Sequence, residues 1–234
     1  MKRRSVILLL LLPIIGCFWW FVVPNLYHIN PLYNAIMQGN MVSLKQWLQE
    51  HPGEVSHFNG WPLTPLALAA ESNDTNMMAY LLDRGAPVEG TQNYREQCTA
   101  LHCAALKGNI AAIAFLLSRG ANIESVDRFN ETPLHYAAQQ DQAGAVSYLI
   151  AQGACINAQS TRDNRTPLEV AVSDERLEAV RVLLEHGAEA DFDKLIGSMK
   201  SEMAGAPLAS QARRDQWLNT IALLEEFKQK HHAH

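Results

Sequence analysis

A histidine between two cysteines is the first group in this sequence that could do chemistry. Cys98, His102 and Cys103 carry a thiol, an imidazole and a thiol within six positions, and these are the side chains that bind zinc in proteins. Their spacing, however, matches none of the paired-ligand patterns of zinc sites. With Cys155 the body of the chain holds an odd number of cysteines. We therefore expect a buried thiol and a surface thiol, and neither a metal site nor a disulfide framework.

Two further groups of titratable residues invite the same question. His231, His232 and His234 lie in a polar tail, which is typical of a frayed terminus. Asp174, Glu175 and Glu178 are expected to be a solvated helix start, where the helix dipole favours acidic residues. The chain has no glycine-rich phosphate loop and no nucleophile elbow. The sequence thus predicts that the protein is not an enzyme and has no catalytic residue, no cofactor and no small-molecule substrate. The competing hypothesis is an enzyme or metal protein that uses these cysteines and histidines.

Helices must position these residues, and a repeated motif shows where the helices begin. Four seven-residue segments start with threonine and continue through leucine to small residues: Thr64–Ala70, Thr99–Ala105, Thr132–Ala138 and Thr166–Val172. Their starts lie 35, 33 and 34 residues apart. Threonine is a good helix N-cap. Proline is tolerated at the first helical position, because a backbone N–H there would have no partner within the helix. Each segment therefore predicts the first turns of a helix.

A second motif follows each first one at a constant distance. It combines a pair of aliphatic residues with a glycine and an alanine, in Leu81–Ala86, Leu116–Ala121, Leu149–Ala154 and Leu183–Ala188. In the second repeat, Ile113, Leu116 and Leu117 form an apolar stripe at helical spacing. The glycine supplies the left-handed residue that ends the helix. No unit of two helices buries its stripe alone, so neighbouring units must stack.

These two motifs at a period near 33 resemble the ankyrin repeat. The resemblance covers about residues 30 to 192 and implies an all-α solenoid of helix pairs with β-hairpin-like finger loops, which precede each capping threonine. The units that it indicates are residues 30–57 (a degenerate N-capping repeat), four repeats over 58–90, 91–125, 126–158 and 159–192, and a C-terminal helical cap over 193–231 with helices at Lys194–Ala204 and Gln211–Lys230.

The finger loops depart from the family pattern at one position. The glycine expected two residues before the threonine is Asn130 or Asn164 in the last two repeats, and asparagine tolerates the same left-handed backbone. Pro62 and Gln97 take this position in the first two repeats, so those fingers are expected to be reshaped.

The resemblance also assigns roles to residues. His102 and His135 match the histidine at the start of the first helix, which in the family hydrogen-bonds across repeats. The concave strip of finger tips and first-helix ends implies a protein partner, with Cys98 among its finger residues. The strip's positions proposed to bind that partner are Trp61, Leu63, Arg95, Glu96, Lys107, Arg128, Phe129, Glu131, Gln140, Arg162 and Arg165.

The N-terminus differs in composition from the rest of the chain. Residues 1–4 form a basic head, and residues 5–23 run for 19 positions without a charge, close to the ~20 needed to span a bilayer. The charge bias predicts a single-pass anchor with a cytoplasmic N-terminus and the domain across the membrane. Two alternatives remain: a lipoprotein signal ending at a lipidated Cys17, and a cleaved secretory signal.

The charge balance bears on the class of partner. The net charge is −5 and no basic cluster occurs, which argues against nucleic acid. The short basic head suggests a bacterial inner membrane with the repeats in the periplasm; a eukaryotic type II membrane protein is the alternative. The sequence therefore predicts a membrane-tethered scaffold or adaptor that binds a protein. An immunity protein that neutralises a secreted, periplasm-acting toxin is the alternative.

Overall fold

Helices account for all the regular structure in the described part of the chain. The computed structural model describes residues 31–56, 63–91, 97–161, 163–206 and 210–232, and these ranges contain no strand. In them, no helix combines the length and the apolar composition that crossing a bilayer requires. The proposed anchor over residues 5–23 and Cys17 lie outside the described residues.

In the described ranges, the helices are arranged as five pairs followed by two longer helices. Their bounds, in chain order, are α1 Pro31–Met37, α2 Met41–Glu50, α3 Pro65–Glu71, α4 Thr75–Asp83, α5 Ala100–Lys107, α6 Ile110–Ser118, α7 Pro133–Gln139, α8 Ala143–Ala151, α9 Pro167–Ser173, α10 Leu177–Glu185, α11 Phe192–Gly205 and α12 Gln211–His232. A short 3₁₀ turn, Pro52–Val55, follows α2. First helices pack against first helices and second helices against second helices along the stack.

The predicted caps begin the first helices. Thr64 and Thr166 accept hydrogen bonds from the backbone N–H groups of Ala67 and Glu169. Thr99 and Thr132 take part in capping boxes with His102 and His135. The predicted threonine caps are therefore confirmed at all four repeated segments.

Each repeat turns the chain through left-handed residues. Gly85, Gly120, Gly153 and Gly187 end the second helices with φ between 85° and 93°, which confirms the prediction for these glycines. In the fingers, Gln97, Asn130 and Asn164 have φ of 57° to 59°. Asparagine and glutamine therefore adopt the left-handed conformation at the position where the family has glycine. A third left-handed residue joins the two helices of each pair, at Gly39, Asn73, Gly108, Asp141 and Glu175.

The core is continuous along the stack. Small alanines on the first helices, such as Ala104, Ala105 and Ala137, are fully buried, and so are the predicted stripe residues Ile113 and Leu116 of α6. Because alanine has so small a side chain, it lets two helix backbones approach closely. The aliphatic residues of the second helices fill the space behind them, so the core passes from one pair to the next without a break.

Hydrogen bonds between pairs reinforce this packing. The Asn109 side-chain amide donates to the carbonyl oxygens of Ala70 and Glu71, each at 2.8 Å. Asp141 accepts the Ala179 N–H at 2.7 Å. Both interactions satisfy helix-end groups that have no partner within their own helix.

The two last helices cover the end of the stack. The sequence predicts helices over Lys194–Ala204 and Gln211–Lys230, and the structure has them as α11 and α12 with slightly wider bounds. Trp217, Ile221 and Leu224 are buried, as the predicted inner face of α12 requires.

The acidic cluster before α10 is not the solvated helix start that the sequence predicts. Asp174 ends α9, and Glu175 is the left-handed turn residue with φ of 61°. The Glu175 side chain is only 13% exposed and accepts a hydrogen bond from Arg213 of α12 at 2.8 Å. Only Glu178 lies exposed in the first turn of α10, as expected. The prediction was wrong for Glu175 because α12 packs over this turn.

Candidate protein-binding surface

The finger at residues 126–131 is closed by one carboxylate. Asp127 Oδ1 accepts the backbone N–H groups of Phe129 and Glu131, each at 2.8 Å. The Asp127 N–H donates to the Glu131 carbonyl at 3.1 Å, and Asn130 supplies the left-handed residue. This backbone pairing is hairpin-like, as predicted, although no strand is formed in the described residues.

A partly buried chain of hydrogen bonds ties this finger to the preceding repeat. The Tyr136 hydroxyl donates to Asp127 Oδ2 at 3.1 Å and lies 2.8 Å from Cys98 Sγ. Burial raises the pKa of Tyr136, and the Cys98 contact raises it further. Tyr136 therefore keeps its proton and remains the donor that fixes Asp127. Cys98 is buried, not a finger-tip contact residue as the sequence predicts, because its thiol packs against this hydroxyl.

The repeated histidines link the first helices to the fingers. His102 Nδ1 accepts the Thr99 N–H at 3.2 Å, so the ring proton lies on Nε2, which donates to the Glu131 carbonyl at 3.0 Å. His135 Nε2 reaches the Arg165 carbonyl at 3.2 Å in the same way. Desolvation by burial lowers the pKa of His102 to about 4, and it lowers the pKa of His135 too. Both rings are thus neutral cross-repeat donors, which confirms the role that the resemblance implied.

Adjacent fingers also bind one another. The Thr161 N–H donates to the Phe129 carbonyl at 2.6 Å, and the Asn130 side-chain amide donates to the Gln159 carbonyl at 2.8 Å. Within the 159–165 finger, Asp163 accepts from the Ser160 hydroxyl at 3.0 Å and pairs with Arg165. These contacts hold the two fingers in one orientation.

Six of the predicted binding residues lie on the two fingers or at the ends of the adjoining first helices. Arg128 is exposed, with its guanidinium 4.5 Å from the centroid of the half-buried Phe129 ring. Glu131 is half-buried and the Arg165 side chain is 39% exposed. Lys107 and Gln140 are exposed at the ends of the first helices α5 and α7.

The other predicted positions differ in status. Leu63 is half-buried and packs against the core. Trp61, Arg95, Glu96 and Arg162 lie outside the described residues, as do the side chains of the terminal histidines. Glu71, which faces Lys107, has its pKa raised by desolvation, an effect that the Lys107 charge opposes.

The titratable residues form no metal centre in the described ranges. No group of three or more histidine, cysteine, aspartate or glutamate side chains there could hold a metal ion. Cys98 and Cys103 are buried and Cys155 is exposed. The described residues therefore hold two buried thiols and one exposed thiol, where the sequence predicted one buried thiol and one surface thiol.

Comparison with known proteins agrees with the repeat geometry. The sequence matches the family model described as ankyrin repeats, in three copies, over residues 32–127 and 120–194. No curated protein matches the chain significantly. Among solved structures, the chain is similar to the ankyrin repeat domain of Bcl-3, a protein described as a unique member of the IkappaB family. The two are 28% identical with a TM-score of 0.58, over 68% of this chain and 72% of that one.

The Tyr136 hydroxyl is predicted to hold the 126–131 finger in place. Replacing Tyr136 by Phe keeps the ring but removes the hydrogen bond to Asp127, and should cost about 1–2 kcal/mol of unfolding free energy. The hydrogen-exchange rates of the Phe129 and Glu131 amides should increase by more than the loss of global unfolding free energy alone would produce. Tyr148→Phe, in α8 and outside this network, serves as the control. Equal exchange in both variants would contradict the role.

Acid should destabilise the fold through His102. Its folded pKa of about 4 lies below the ordinary 6.5, so the neutral ring contributes stability above pH 6.5 that is lost as the pH falls towards 4. At about 1.4 kcal/mol per pKa unit, the loss reaches about 3 kcal/mol. His102→Gln keeps a side chain able to cap the helix and should flatten urea-unfolding free energies measured from pH 7 to pH 4.5. The same measurement on His186→Gln, at an exposed histidine, is the control. A pH slope in His102→Gln identical to that of the wild type would refute the assignment.

Proposed function

The chain belongs to the ankyrin repeat family, and from that premise we propose that it is a scaffold or adaptor, tethered to a bacterial inner membrane, that binds a protein partner in the periplasm. Ankyrin repeats are protein–protein interaction modules. The partner docks on the finger surface, which we define as the fingers at 126–131 and at 159–161 with 163–165, together with Lys107 and Gln140 at the adjoining helix ends.

The observation that carries this proposal is the way in which the fingers are fixed. Asp127 closes one finger, His102 and His135 bond to finger carbonyls, and Thr161 joins the two fingers. A surface whose backbone is already ordered loses little conformational entropy when a partner binds. The fingers are therefore suited to rigid recognition of a protein surface.

Arg128 and Phe129 provide the anchoring groups on this surface. Arginine and aromatic residues dominate the energetics of protein interfaces. The Phe129 ring lies under the Arg128 guanidinium, which restricts the arginine to one region of space while leaving it exposed. We infer that Arg128 contributes more to binding than any other described residue of the finger surface.

The N-terminal sequence supports the tether. Residues 5–23 are long enough to span a bilayer as one helix. Lys2, Arg3 and Arg4 precede this stretch, and the next basic residue is Lys45, so the positive-inside rule directs the repeats away from the cytoplasm. A lipid on Cys17 would tether the repeats on the same side.

Partner capture tests the finger surface directly. The full chain, extracted from membranes in a mild detergent, should retain a protein identifiable by mass spectrometry. Arg128→Ala should weaken that complex by about tenfold or more without lowering the melting temperature, because hot-spot arginines cost about 2 kcal/mol on truncation.

Arg119→Ala is the matched control. Arg119 is also an exposed arginine lying over a phenylalanine ring, but it ends the second helix α6 and pairs with Asp83. It should retain the partner at wild-type affinity. Equal losses in the two variants would count against the finger surface. If the captured protein is a secreted toxin, the immunity role replaces the scaffold role.

A further inference from the structure

The first helix pair exposes two large apolar side chains. Five large hydrophobic residues are exposed in the described ranges, and two of them, Met37 and Val42, lie in or beside the turn between α1 and α2. Val42 is 77% exposed, more than any of the other four, and Met37 is 48% exposed. Single exposed hydrophobics are ordinary, but these two lie five residues apart around one turn.

The same part of the chain lacks acidic residues. The first carboxylate in the sequence is Glu50, so residues 1–49 contain none of the 24 acidic residues and four of the 19 basic ones. Twenty-four acidic residues spread evenly over 234 would place about five in this stretch. The remaining residues then carry 24 acidic against 15 basic groups. A chain of net charge −5 is thus positive at its N-terminal end.

Helix geometry places Val42 beside a basic residue of α2. Val42 and Lys45 are three positions apart and therefore adjacent on the helix surface. The Lys45 ammonium lies 5.6 Å from the centroid of the Tyr80 ring, and Arg84 lies over the same ring at 4.9 Å. The next carboxylates along the sequence, Glu50 and Glu54, come at and beyond the far end of α2, where Glu54 accepts from Trp47 Nε1 at 2.7 Å. Met37, at the end of α1, lies with its sulfur 3.7 Å from the Ser72 hydroxyl of the next pair.

Chain length brings this face close to the apolar N-terminal segment. Seven residues, 24–30, separate that segment from α1. Fully extended they reach at most about 24 Å, and α1 itself adds about 10 Å. Met37 is therefore held within about 35 Å of the point at which residue 23 leaves a bilayer, with Val42 five residues further along the chain, and a shorter path brings both to its surface.

We propose that the α1–α2 face, defined as Met37, Val42 and Lys45, lies against the headgroup layer of the membrane that holds the N-terminal segment. This rests on the tether proposed above. Met37 and Val42 enter the boundary between headgroups and acyl chains, where apolar side chains gain from burial. Lys45 meets the anionic phosphates of the headgroups, which attract a basic side chain. The absence of carboxylates before Glu50 avoids repulsion from the same phosphates.

Fluorescence from a label at position 42 tests this contact. The full chain with Cys155→Ser carries Val42→Cys, labelled with nitrobenzoxadiazole and reconstituted in vesicles of phosphatidylethanolamine and phosphatidylglycerol. We expect a blue-shifted emission and quenching by headgroup-proximal nitroxide lipids, at least about threefold stronger than for the control Glu185→Cys. Both positions are exposed, so neither label should disturb the fold. The Cys155→Ser chain without an introduced cysteine, treated with the same label, measures the signal from the other cysteines, which is subtracted.

Three results would overturn the contact. If the protein floats with the vesicles but the label at position 42 is as exposed to water as the label at position 185, the membrane contact is refuted and the tether stands. A Val42 label that is blue-shifted but insensitive to nitroxide lipids identifies a protein segment as the occupant. Protein that fails to float removes the tether and the contact together, whereas partner capture in detergent tests the finger surface independently of both.

Discussion

Stacking is the constraint on which every other feature of this protein depends. A first helix of seven or eight residues and a second helix of nine or ten cannot bury their apolar sides against each other alone. The pairs therefore share one core, in which alanines such as Ala104 and Ala137 allow close approach and residues such as Leu116 and Leu149 fill the space. At the last pair, where the stack would otherwise end on an apolar face, α11 and α12 cover it.

The geometry of the proposed finger surface follows from the same constraint. Once the pairs are stacked, His102 and His135 lie beside the fingers of the next repeat and bond to their carbonyls. Burial keeps both imidazoles neutral, so residues that resemble catalytic bases act as structural donors. The finger at 126–131 is then fixed by Asp127, whose second oxygen is held by Tyr136. The fingers are thereby positioned by side chains that a partner need not touch.

Much of this could be read from the sequence, since repetition shows which residues are equivalent. The threonine caps, the glycines after the second helices and the inner face of α12 were all predictable from spacing. The Cys98–Tyr136–Asp127 chain was not, because neither the 38-residue nor the nine-residue separation marks the partners. The turn at Glu175 could have been found by alignment: Asn73, Gly108 and Asp141 occupy the same position, and glycine and asparagine there indicate a left-handed residue.

Energetic coupling between neighbouring pairs is the central claim, and hydrogen exchange after one core truncation measures it most directly. Leu116 of α6 is fully buried, and Leu116→Ala should cost about 2–5 kcal/mol. If the pairs share one core, amides in α4 and α8 should exchange faster together with those in α5 and α6. Acceleration confined to α5 and α6, with α4 and α8 unchanged, would show that the pairs are stable one by one and would contradict the account.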